Sequence, residues 1–137
     1  VTRQLLVWPM LAQMLLTGVV WVRMYIVRVA EMRRRRIRPQ SIATSREIAS
    51  TLEDTAPADN FRNLFEVPVL FFAVCLTLLS LDLVNPAQLA LAWAFVGLRC
   101  LHSFIQLTSN RVMHRFRVYV LGTLCVFAMW IVLAFQL

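Results

Sequence analysis

Asn60-Phe61-Arg62-Asn63-Leu64-Phe65-Glu66-Val67-Pro68 marks the point where a polar, charged segment becomes a long apolar run. From Phe61 to Leu83 the chain is apolar enough, and long enough, to cross a hydrocarbon core as a helix. An ionised Glu66 about one turn inside such a span is costly unless a partner neutralises it. The best candidate lies on a different span, in Arg99-Cys100-Leu101-His102-Ser103-Phe104-Ile105-Gln106. An ion pair between Glu66 and Arg99 is therefore the expectation on which the polar part of the fold turns.

The composition fits that reading. Of the 137 residues 60% are hydrophobic and 15% charged, which is too apolar for a small soluble domain. All 14 basic residues are arginine, against 7 acids, and the formal charge is +7. Arginine favours planar, bidentate binding of carboxylate or phosphate and keeps its charge when buried. Cys75, Cys100 and Cys125 each fall in an apolar run without metal-site spacing, so they read as packing residues, and no metal is expected.

Four spans follow from the apolar runs: about 5–26, 61–83, 86–107 and 118–137, in a single membrane domain over 1–137. The fold class is all-α, an integral membrane four-helix bundle. The first run has Arg3 before it but Arg23, Arg28 and Arg33 to Arg36 after it, which argues for a retained span rather than a signal peptide. The polar segment 29–60 holds most of the acids and the Arg run, with a short helix expected near Ser45 to Leu52. Such a run resembles a nucleic-acid patch, but beside a span it reads as a topology signal or an anionic-lipid contact, so no nucleic-acid partner is expected. The positive-inside rule then places both basic connections in the cytoplasm and both termini outside.

Two polar faces meet at the cytoplasmic end. In a continuous helix Arg62, Asn63 and Glu66 share one side, and Arg99, His102, Ser103 and Gln106 are spaced by three, four and seven to share another. One reading is a structural ion pair with His102 and Gln106 as interhelical glue. The other is a ligand site, because Arg23, Arg28, Arg62, Arg99, Arg111 and Arg115 exceed what Glu66 can neutralise. No serine triad, phosphate loop or carboxylate dyad is present in the pattern.

The chain resembles the family of membrane-associated proteins in eicosanoid and glutathione metabolism. Asn63-x-x-Glu66 with Pro68, and Arg99-x-x-His102-Ser103 with Asn110-Arg111 and Arg115, carry the resemblance over nearly the whole chain. A bacterial-type member is implied, hence a bacterial inner membrane. The resemblance also implies a homotrimer with glutathione held between subunits near the cytoplasmic face. The implied activity is a transferase or peroxidase reaction of that thiol with a lipophilic small molecule from the bilayer. Arg28, Arg62, Asn63, Glu66, Arg99, His102, Gln106 and Arg111 are the implied glutathione-binding set. Arg115 or Arg117 is the implied catalytic residue, stabilising the thiolate. The sequence departs from the family pattern at Asp59, where an arginine is usual, at Val67 in place of tyrosine, and at His102 and Gln106 in place of tyrosines. The alternative is a non-catalytic subunit of the same fold, binding lipid or serving a larger membrane assembly.

Overall fold

Helix boundaries in the computed structural model, which describes residues 2–137, follow from local chemistry. After a 3₁₀ turn over Arg3–Leu6, α1 runs from Val7 to Arg35. It continues well past Ile26, because no glycine or proline interrupts the good helix formers before Pro39. Arg33, Arg34 and Arg35 fill its last turn, where positive charge suits the helix dipole. A short α2, Ser45–Thr51, is capped by Thr44, whose hydroxyl accepts the Glu47 N–H at 3.1 Å.

The second span is not one continuous helix. α3 runs Ala56–Asn63, the chain turns over Leu64 to Glu66, and α4 resumes at Val67 and continues to Leu81. Pro68 is the cause: it has no N–H for the Leu64 carbonyl, so the helical ladder cannot run through it. The turn closes instead on short-range bonds, Phe65 N to Arg62 O at 3.0 Å and Glu66 N to Asn63 O at 3.2 Å. The single helical face expected for Arg62, Asn63 and Glu66 is therefore broken between Asn63 and Glu66. α5, Pro86–Leu107, begins with proline at its first position, and the Asn85 side chain accepts the Gln88 N–H at 2.8 Å. A tight turn through Asn110, left-handed at φ 49°, leads to α6, Val112–Gln136.

The described residues thus hold four helical segments long and apolar enough to cross a membrane: α1, α3 with α4, α5, and α6. Their packed centre contains Phe71, Val74 and Leu78 of α4, Ala92 and Phe95 of α5, and Val126 and Met129 of α6. Phe71 and Phe95 lie with ring centroids 4.7 Å apart. Large apolar side chains also cover the outside, among them Leu15, Leu76, Phe104, Leu124 and Ile131, as lipid contact requires. What distinguishes the interior is its polar residues, since Gln13, Gln88, Arg99, His102, Ser103 and Gln106 are all buried.

At the end of the bundle where α5 begins, Gln88 Nε2 donates to the Met129 carbonyl at 3.1 Å and to Gln136 Oε1 at 3.2 Å. Gln136 Nε2 in turn donates to the Leu83 carbonyl at 3.0 Å. α5, α6 and the α4–α5 connection are thereby stitched together without charge. Replacing Gln88 by Leu is expected to cost about 1–2 kcal/mol, the usual worth of interhelical polar contacts in lipid. Thermal unfolding in detergent would measure it, and an unchanged midpoint would show that these bonds do not hold the end closed.

Candidate functional site

At the basic end, α3, α5 and α6 border an open cavity of about 440 Å³. From α3 it receives Asp59, Arg62 and Asn63, and from the turn before α4 it receives Glu66. His102 and Gln106 form the α5 wall; Arg115, Phe116 and Tyr119, with Val112, form the α6 wall. Asn63 Nδ2 reaches Gln106 Oε1 at 3.4 Å, a long bond that closes one side. Arg115 is held by Asn110, whose side-chain oxygen accepts its Nη1 at 2.7 Å. The volume lies within the range of small-molecule sites, roughly 300–1,000 Å³.

Arg99 lies beneath this cavity, 2% exposed. Its guanidinium carbon is 6.0 Å from the centre of the Tyr119 ring, and that ring is 5.9 Å from His102. The ion pair expected with Glu66 is not formed. Among the described residues the ion pairs join Arg34 to Glu53, and Arg35 to Glu31 and Glu53. The reason is the Pro68 break, which ends α3 and leaves Glu66 exposed at the start of α4 instead of one turn inside a continuous helix. Arg99 Nε and Nη2 consequently have no protein acceptor, and neither His102 Nδ1 nor Asn60 Nδ2 has a partner. Asn60 does fasten α3 to α5, accepting the Ser103 hydroxyl at 3.1 Å through Oδ1. A buried guanidinium without a counter-ion costs several kcal/mol.

A second cavity, about 610 Å³, lies between α1, α2 and α3 and shares Asp59 and Arg62 with the first. Arg28 and Arg46 line it, with Arg28 also set 5.8 Å from the Tyr25 ring centre. Arg111 and Arg117 are exposed and line neither cavity. Arg62, Asn63, Glu66, His102, Gln106 and Arg115 are therefore brought to one cavity, Arg99 lies under it, and Arg28 stands in its neighbour. Sequence reasoning missed Tyr119 as a site residue, although it follows Arg115 by one helical turn and so shares its face. Among the described residues no His, Cys, Asp and Glu cluster is arranged to hold a metal ion.

Four membrane-spanning helices with a polar, arginine-rich cavity at one end of the bundle define an integral membrane protein with a small-molecule-sized site. The family is then specific: the MAPEG family model matches residues 6–135, and the chain belongs to that family. Membership carries membrane-bound, glutathione-related transferase or peroxidase chemistry at the level of the family. No curated protein and no solved structure matches the chain.

Arg99→Gln separates the two roles an arginine can have here. Because it removes an unpaired buried charge rather than half of a pair, the unliganded protein should melt at an equal or higher temperature. The rise in melting temperature caused by a bound anionic ligand should disappear. A large loss of stability without ligand would mean that Arg99 has a protein counter-ion after all.

Proposed function

We propose that the protein is a membrane-bound, glutathione-dependent transferase or peroxidase acting on lipophilic electrophiles. The observation that carries this reading is Arg99, a buried cation with no protein counter-ion, beneath a polar cavity that also presents Arg62 and Arg115. Glutathione offers two carboxylates, an ammonium group and a thiol, and the cavity offers complements to each. Arg62 and Arg99 suit the carboxylates, Glu66 suits the ammonium, and the Asn63 and Gln106 amides suit the peptide groups. Arg28 and Arg111 extend the positive field at the rim.

Arg115 is the residue assigned to the thiol. A guanidinium near the sulfur stabilises the thiolate, and the effect grows in a poorly solvated cavity. Asn110 keeps that guanidinium in place before substrate arrives. The thiol proton leaves to solvent, the sulfur forms its bond to the electrophilic carbon, and the leaving group departs with its electron pair. Tyr119 lines the same cavity, and its phenol is assigned to donate to developing negative charge in place of the tyrosines missing from α5. Arg117, exposed and outside the cavity, is the weaker of the two catalytic candidates.

The proposed assembly is a homotrimer in a bacterial inner membrane, with the site between subunits at the cytoplasmic face and both termini outside. Its support is the distribution of arginine about the spans and the family resemblance. A second reading, a non-catalytic subunit that binds lipid or serves a membrane assembly, is favoured by Asp59, whose carboxylate faces the cavity and repels the carboxylates of glutathione.

Calorimetric titration of the detergent-solubilised protein with glutathione decides between them, together with conjugation of a lipophilic chloronitrobenzene. Arg115→Lys keeps the charge but loses the planar fork, and is expected to lower kcat by about 10²-fold, comparable to removing an aligned donor. Arg33→Lys, at the end of α1, should match the parent. Binding weaker than millimolar, or an Arg115→Lys protein as active as the parent, would favour the non-catalytic reading.

A further inference from the structure

Glu31 sits near the C-terminal end of α1, where the helix dipole disfavours a negative charge, yet it is only 5% exposed. Its burial is offset by hydrogen bonds. The two carboxylate oxygens accept the Glu53 N–H at 3.1 and 2.9 Å, the Asp54 N–H at 3.1 Å and Arg35 Nη1 at 2.9 Å. The same Arg35 nitrogen donates to the Thr51 carbonyl at 2.7 Å, and Arg35 Nε lies 3.8 Å from Glu53 Oε1. Leu52, between these anchors, is 7% exposed. A neutral side chain could not take this set of donors, because only a carboxylate has two oxygens that accept without also donating.

The clamp is passed on to α3. The Asp54 side chain accepts the N–H of Ala56, the first residue of α3, at 3.2 Å, and Thr55 donates to Asp59 at 3.3 Å. α3 then supplies Asp59, Arg62 and Asn63 to the first cavity and, with α2, covers the second. Across the first cavity α3 meets α5 through the Asn60–Ser103 bond and the long Asn63–Gln106 contact. Its seat on α1 therefore decides how far Arg62 and Asn63 stand from His102 and Gln106.

We propose that Glu31 is a positioning residue for the cavity: with Arg35 it clamps the α2–α3 connection to α1 and so sets the place of Arg62 and Asn63. The proposal rests on reading that cavity as the thiol site, but its mechanical part can be measured without activity. In the full-length protein in detergent, Glu31→Gln should speed amide hydrogen exchange at Glu53 and Asp54 by about tenfold or more, the loss expected for charge-assisted bonds. Exchange should also quicken along α3 to Asn63 while α5 and α6 keep the parent rates. KM for glutathione should rise about tenfold with kcat at saturation nearly unchanged, as for lost ground-state positioning. Glu31→Asp keeps the charge on a shorter arm and should fall between the two; if Glu31→Gln does not fold, the same measurements on Glu31→Asp decide.

Unchanged exchange at Glu53 and Asp54 would overturn the clamp. Faster exchange there with α3 and KM unaltered would make it a local loop contact and overturn the positioning role, as would faster exchange spread over α5 and α6. A parent protein with no glutathione-dependent turnover would sink the thiol reading instead. The clamp would then stand or fall on α3 exchange alone.

Discussion

A guanidinium buried between helices in a membrane protein keeps its charge at a high cost, and Arg99 imposes that constraint on the basic end of this bundle. The surrounding layer is built of polar side chains rather than the Phe, Val and Leu that fill the middle. Tyr119 offers its ring to the cation, Asn60 Oδ1 accepts the Ser103 hydroxyl, and His102 and Gln106 face the cavity above. None of them neutralises the charge. The layer is organised around a cation that forms no ion pair among the described residues.

The break at Pro68 is the backbone feature that keeps it so. A continuous helix from Ala56 to Leu81 would hold Glu66 on the same side as Asn63, where a carboxylate could fold down toward Arg99 and quench it. With the helix interrupted over Leu64 to Glu66, the carboxylate stays exposed at the mouth of the cavity. Acid and base are thus kept apart at two depths, an arrangement that suits a ligand with both signs of charge. The interruption is tolerable because it lies near the end of a span, beside a cavity, rather than in the lipid-facing middle.

Neither polar cavity depends on one helix alone. α3 is common to both, and it is a short helix whose N-cap residue, Thr55, makes no capping bond, the Ala56 N–H going to Asp54 instead. Such an element cannot hold its own position, since isolated helices of this length are unstable. Its placement comes from α1 through the Glu31 and Arg35 clamp and from α5 through Asn60. The cavity-lining residues of α3 are therefore only as well ordered as bonds made by residues outside the cavity.

The apolar runs, read by length alone, announced the membrane helices, because hydrocarbon thickness dictates how many apolar residues a helix needs. Helical spacing likewise grouped Arg99, His102 and Gln106 on one side of α5, and the paired motifs around Glu66 and Arg99 pointed to the family. The partner of Glu66 could not be read the same way: the sequence offered an opposite charge at a suitable depth, and one missing N–H at Pro68 redirected the carboxylate. Glu31 was hidden for a similar reason. In the sequence it is one acid among the charges of a polar connection, and its role depends on backbone N–H groups of Glu53 and Asp54, which every residue but proline possesses. Side-chain chemistry and periodicity belong to the sequence, whereas the choice of backbone donors and the distance between charges are settled only when the segments pack.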